Sequence, residues 1–125
     1  MGTTKATEDY LEAILMVRER RGFVRSVDVA ELLSVTKPSV TYATKRLRES
    51  GHIEMAPDGG ITLTESGMEI ASRIYERHRL LADFLMSLGV DEETAYRDAC
   101  MIEHDISETS FDALCRHAGQ KREKR

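Results

Sequence analysis

Residues 26–51 read SVDVAELLSVTKPSVTYATKRLRESG, and the fold turns on how this stretch divides. Val27 to Leu33 reads as a short helix with Ser26 as N-cap and Val27, Ala30 and Leu33 inward at helical spacing. Ser34-Val35-Thr36 makes a three-residue turn. A second helix opens on Lys37-Pro38, where a proline costs nothing because its missing N–H would have had no intrahelical partner. It runs to about Ser50 with Val40, Ala43, Thr44 and Leu47 inward, and Gly51 ends it. Two short helices across so tight a joint make a helix-turn-helix.

Working outward, Thr7 to Arg21 reads as a helix with Tyr10, Leu11, Ile14, Leu15 and Val17 as its apolar stripe, stopped by Gly22. After Gly51, Ile53-Glu54-Met55 and Ile61-Thr62-Leu63 flank the turn-forming run Ala56 to Gly60, the pattern of a β-hairpin wing. Thr64 caps a long helix to about Leu88, with Ile70, Ile74, Leu81, Phe84, Leu85 and Leu88 apolar and Gly89 at its end. Asp91 caps a helix from Glu92 to His104, Ser107 caps a last one to about Ala118, and the tail from Lys121 to Arg125 is expected to be mobile. The fold class is mainly α: a winged helix-turn-helix over 1–70, then a helical dimerisation and metal-binding segment over 71–125.

Composition narrows the function classes. The chain has 125 residues, 41% of them apolar, which supports a packed core rather than general disorder. No apolar run approaches the roughly 18 residues a membrane span needs, and Met1-Gly2-Thr3-Thr4-Lys5 lacks a signal-peptide core, so a cytoplasmic protein without a membrane partner is expected. Cys100 and Cys115 are read as thiols or metal ligands, not as a disulfide scaffold. Three Phe, four Tyr and no Trp are too few for a single-strand stacking platform.

The net charge of −4 is unevenly spread. Residues 1–64 carry nine basic and nine acidic groups, whereas residues 65–125 carry nine basic and thirteen acidic ones. Between Arg18 and Arg48 eight Lys/Arg face three Asp/Glu, a local +5. A basic middle and an acidic tail suit a DNA-reading face kept apart from a cation-binding one. A recognition helix needs small or polar side chains near its N-terminus and basic ones further along. Lys37, Pro38, Ser39, Thr41 and Tyr42 fill the first role, and Lys45, Arg46 and Arg48 the second. The competing reading is an amphipathic helix with a solvated basic face; the hairpin and the local charge favour double-stranded DNA.

Six further residues suggest a metal site. Asp9 and Glu12 are three apart on one helix face, His78 lies in the long helix, and Cys100, Glu103 and His104 share a face at i, i+3 and i+4. Carboxylate and imidazole suit Mn²⁺, Fe²⁺, Co²⁺ or Zn²⁺, and thiolate adds affinity for softer ions. Gathered without a cation, the carboxylates would repel one another. Taken singly, each residue has an ordinary reading: Asp9 and Glu12 as a solvated face, Cys100 as a small buried hydrophobe, Glu103 and His104 as a surface pair, His78 as a hydrogen-bonded helix residue. Paired metals and carboxylates would also serve a small di-metal hydrolase, but no general base is left over for one.

Thr7-Glu8-Asp9-Tyr10-Leu11-Glu12, Pro38-Ser39-Val40-Thr41, Leu63-Thr64-Glu65-Ser66-Gly67, Arg77-His78-Arg79-Leu80-Leu81, Gly89-Val90-Asp91 and Ile102-Glu103-His104 run in order over nearly the whole chain. Together they resemble the diphtheria-toxin-repressor family and, within it, the manganese transport regulators. The resemblance implies a homodimer that binds an operator and represses metal-uptake genes when activated by Mn²⁺, with an Fe²⁺-responsive repressor as the alternative and no small organic ligand. It implies a two-metal cluster whose ligands match Asp9, Glu12, His78, Glu103 and His104. Cys100 departs from the manganese pattern, which has Glu there in many members, and matches the iron branch; Asp9 departs from the iron branch, which has Met. The resemblance leaves the ancillary-site ligands of the iron branch unmatched, Tyr96 and Ala82 standing at those positions, and a protein of the shorter manganese type, without that branch's C-terminal SH3-like domain, is expected.

Overall fold

The computed structural model describes residues 4–123, with side chains as far as His117. Its element order is α1 (Lys5–Arg21), α2 (Ser26–Leu33), α3 (Lys37–Glu49), β1 (Ile53–Met55), β2 (Ile61–Leu63), α4 (Glu65–Ser87), α5 (Glu92–Asp105) and α6 (Glu108–Glu123). This is a mainly helical winged helix-turn-helix followed by a helical segment. It falls into two compact units, Met1–Tyr75 and Glu76–Arg125, divided within α4.

In the first unit, α1 starts before the expected Thr7. The Thr4 hydroxyl accepts the Thr7 N–H at 3.1 Å, so Thr4 is the cap and Thr7 lies inside the first turn. At the other end Gly22 takes φ +86° and donates its N–H to the Arg18 carbonyl. Helix α2 departs from expectation in two ways. Its N-cap is Arg25, not Ser26, because the Asp28 carboxylate reaches back to the Arg25 N–H at 2.9 Å. Its buried face is Val29 and Ala30, while Val27 is 44% exposed. The sequence offers two apolar diagonals here, and the one through Val29 and Leu33 faces the core.

The hydroxyl of Thr36 caps α3 by accepting the Ser39 N–H at 3.2 Å. Val40, Thr44 and Leu47 are buried, and the Thr44 hydroxyl donates to the Thr41 carbonyl, so the one polar member of that face is satisfied. The wing is an antiparallel pair in the register Ile53↔Leu63, Glu54↔Thr62, Met55↔Ile61. Ile53 and Ile61 turn inward, to join Leu11, Ile14, Val24, Val29 and Val40 in one core. The Ile61 N–H donates to the Val24 carbonyl, which ties the wing to the loop after α1.

The start of α4 is fastened to the residues that end α3. Thr64 caps α4, its hydroxyl oxygen accepting from the Gly67 N–H while its own O–H donates to the Gly51 carbonyl at 2.6 Å. The Ser66 hydroxyl reaches the same carbonyl at 3.2 Å. Gly67 is buried directly against the His52 carbonyl, where an added Cβ would collide with the oxygen.

The second unit packs Leu81 and Ala82 of α4 against Ala95 and Ala99 of α5, with Leu85, Ile102, Phe111 and Leu114 around them. Alanines at 95 and 99 stand one turn apart and allow the two helices to approach closely. Asp91 caps α5, and the Thr94 N–H it accepts holds its carboxyl below the usual carboxylate range. Ser107 caps α6, accepting the Ser110 N–H at 3.1 Å. Helix α6 continues to Glu123, past the expected stop at Ala118. Gly119 weakens a helix interior by about 1 kcal/mol but does not by itself terminate one. Residues 124 and 125 of the expected tail lie outside the described residues.

Candidate functional site

The outer face of α3 presents Lys37, Pro38, Ser39, Thr41, Tyr42, Lys45, Arg46 and Arg48, all exposed. Tyr42 stands 63% exposed, and its hydroxyl accepts from the Arg46 guanidinium at 3.0 Å. The same guanidinium lies 5.6 Å from the ring centroid, so ring and charge form one amphipathic ridge. Beside it lies a groove of about 370 Å³ whose lining includes Thr4, Thr7, Tyr10, Ser39, Tyr42 and Arg46. The wing contributes no positive charge: residues 51–64 hold Glu54 and Asp58 and no Lys or Arg. Any attraction for phosphate in this unit therefore comes from its helices and the loop that carries Arg25.

The first unit also holds Asp9 and Glu12, one turn apart on α1. Asp9 is half-buried and Glu12 only 4% exposed, so the solvated-face reading fails for Glu12.

In the second unit, His78 on α4 meets Cys100 and Glu103 on α5. One donor atom from each of the three lies within 4.8 Å of the others. Glu103 is buried, and its Oε1 lies 3.4 Å from His78 Nδ1. The opposite ring nitrogen, Nε2, stands 3.1 Å from the Tyr96 carbonyl. A carbonyl only accepts, so Nε2 is the donor of this pair, and Nδ1 is the ring nitrogen that faces the cluster. Metal-bound histidines are commonly oriented in this way by a backbone carbonyl on the far nitrogen. His104 follows Cys100 by one turn and is half-buried. An imidazole nitrogen, a thiol sulfur and a carboxylate oxygen at this spacing fit a first-row divalent ion; donors bonded to one such ion lie about 3.5 Å apart, a small closure from here. The contact of His78 with Tyr96 is not legible in the sequence, because it uses a backbone carbonyl, which no side-chain pattern reveals. Both cysteines are free thiols, and burial pushes the Cys115 thiol up.

Residues 2–61 match the family described as the iron dependent repressor N-terminal DNA binding domain, and residues 64–124 the iron dependent repressor metal binding and dimerisation domain. The HTH-type transcriptional regulator MntR of Bacillus subtilis is 40% identical over 112 residues, 90% of this chain and 79% of that protein. The transcriptional regulator MntR of Escherichia coli O6:H1 is 42% identical over 107 residues, 86% of this chain and 69% of that protein. Among solved structures, T. acidophilum IdeR superposes with a TM-score of 0.80 at 28% identity, covering 95% of this chain and 55% of that one. A manganese-dependent transcriptional repressor in complex with manganese gives 0.81 at 29% identity, covering 90% and 52%. The chain thus spans about half the length of these two solved chains.

Proposed function

Because the chain belongs to the iron-dependent repressor family, we propose that it is a dimeric, metal-activated DNA-binding repressor of metal-uptake genes, working in the cytoplasm. The observation that carries this reading is the convergence of His78, Cys100 and Glu103 on one point, in a chain that also exposes a basic recognition helix. Its relatives are transcriptional regulators, not enzymes, and the hydrolase alternative falls with that.

The proposed ligands are Asp9, Glu12, His78, Cys100, Glu103 and His104, the set that the family resemblance implies with Cys100 added. A bound Mn²⁺ or Fe²⁺, or a pair of ions, would supply the positive charge that such a gathering of carboxylates needs. In a metal-activated repressor, metal occupancy and operator affinity are interdependent, with a coupling of order 1–3 kcal/mol. Dimerisation engages the second unit, where Leu88 and Met101 are 66% and 53% exposed and Leu80, Phe84, Leu85, Ile106, Phe111 and Leu114 are only half-buried. A two-fold dimer sets two recognition helices at about the 34 Å spacing of successive major grooves.

The test is an anaerobic gel-shift titration with operator DNA against Mn²⁺, Fe²⁺ and Zn²⁺. Retardation is expected with metal and not with chelator; an equal shift in both would sink the proposal. The recognition helix has its own test. Lys45→Ala or Arg46→Ala should weaken binding to every DNA sequence and flatten the salt dependence by about one unit per lost phosphate contact. Substitutions at Ser39, Thr41 or Tyr42 should instead change which sequences are preferred. Unchanged affinity and salt slope in both basic variants would remove α3 from the interface.

A further inference from the structure

We propose that Arg77 is a positioning residue for the metal cluster, a role that rests on the metal-site reading above. Arg77 precedes His78 on α4, and its side chain is only 12% exposed. Its guanidinium lies 4.4 Å from the centroid of the Phe111 ring on α6. Nη2 reaches the Ile106 carbonyl at 3.5 Å, and Nη1 stands 3.8 Å from the Glu108 carboxylate. The last contact is weak, because Glu108 is 75% exposed. The first two engage the corner where α5 ends and α6 begins, since Ile106 is the C-cap of α5.

That corner is where the ligands are. Glu103 and His104 sit in the last turn of α5, and Ile106 follows two residues after His104. A cation beside the terminal carbonyls of a helix also complements the negative end of its dipole. Arg77 therefore grips the end of α5 from the residue adjacent to His78, and fixes the turn that carries Glu103 against the imidazole. Filling the space alone would be cheaper with a Leu or Met, because a guanidinium loses hydration when covered. A planar group that stacks on a ring and donates sideways sets orientation as well as volume.

The test uses the full-length chain with Co²⁺ and Mn²⁺ as probes. Arg77→Met keeps the stem and removes the guanidinium; Arg77→Lys keeps charge and a donor but not the planar stack. Arg77→Met should retain native helix content by circular dichroism yet lose about tenfold in affinity for both ions, with an altered Co²⁺ ligand-field spectrum. Arg77→Lys should recover part of the loss, and Glu108→Gln should change little. A lowered melting temperature with wild-type metal affinities and spectrum would make Arg77 a fold-stabilising residue only and overturn the proposal. If Arg77→Met loses helix content, Phe111→Leu, which removes only the ring face, decides: weakened Co²⁺ binding upholds the proposal and wild-type binding overturns it. Failure of the wild-type chain itself to bind either ion would instead refute the metal-site reading.

Discussion

Gly67→Ala is expected to cost about 3 kcal/mol, through overpacking against rigid backbone. In most helices this substitution stabilises by up to about 1 kcal/mol, because glycine loses more chain freedom on folding. Here the sign reverses. The added methyl would be built into the His52 carbonyl oxygen, a backbone atom that cannot swing aside as a side chain would. That carbonyl also accepts the Thr64 N–H at 3.1 Å. For a unit of this size the loss corresponds to a fall in melting temperature of roughly 12–24 °C, at about 4–8 °C per kcal/mol. Thermal melting of the variant beside Gly60→Ala checks it, since Gly60 meets nothing closer than a side-chain oxygen at 3.2 Å. If Gly67→Ala melts with or above the wild type, α4 does not pass so close to the wing.

Cys100→Ser is expected to abolish the near-ultraviolet thiolate-to-metal charge-transfer band of the Co²⁺ protein, and Cys100→Glu to shift activation of DNA binding toward Mn²⁺ by about tenfold relative to Fe²⁺ and Zn²⁺. Thiolate is softer than carboxylate, so Cys100 as a ligand would bias an otherwise hard donor set toward Fe²⁺, Co²⁺ and Zn²⁺. The rival role, a small apolar residue in the core, is disfavoured by position. The buried packing residues of α5 are Ala95 and Ala99, whereas Cys100 is half-buried with its sulfur grouped with His78 and Glu103. Co²⁺ absorption and paired Mn²⁺ and Fe²⁺ titrations of DNA binding make the measurement. A Co²⁺ protein without the band, together with wild-type affinities in Cys100→Ala, would leave only imidazole and carboxylate ligands.

Much of the fold was legible because its punctuation is local. Pro38 opens the recognition helix, Gly22 and Gly89 take positive φ after α1 and α4, and Thr64, Asp91 and Ser107 cap where their side chains imply. The errors arose where two local solutions compete. Thr4 and Thr7 can both cap α1, and the one that lets α1 begin earlier prevails. Val27 and Val29 offer α2 two apolar diagonals, and only tertiary packing chooses between them. At the candidate metal site, the i, i+3, i+4 spacing of Cys100, Glu103 and His104 was readable on a helix. The meeting of His78 with Glu103 and the Tyr96 carbonyl was not, because it depends on how closely α4 and α5 approach. Nothing in the sequence shows that Arg77 reaches the corner at Ile106.

The wing carries a consequence for how the first unit opens. Strands of three residues each cannot persist alone in water. This pair is held by the Val24 carbonyl on one side and joined to α4 at Gly51 and His52 on the other. Its amides should therefore exchange with solvent not as a fraying tip but in step with those at the end of α3 and the first turn of α4, as one cooperative opening unit. Evolution can then redecorate the wing's exposed side, Glu54 and Thr62 included, without loosening α3.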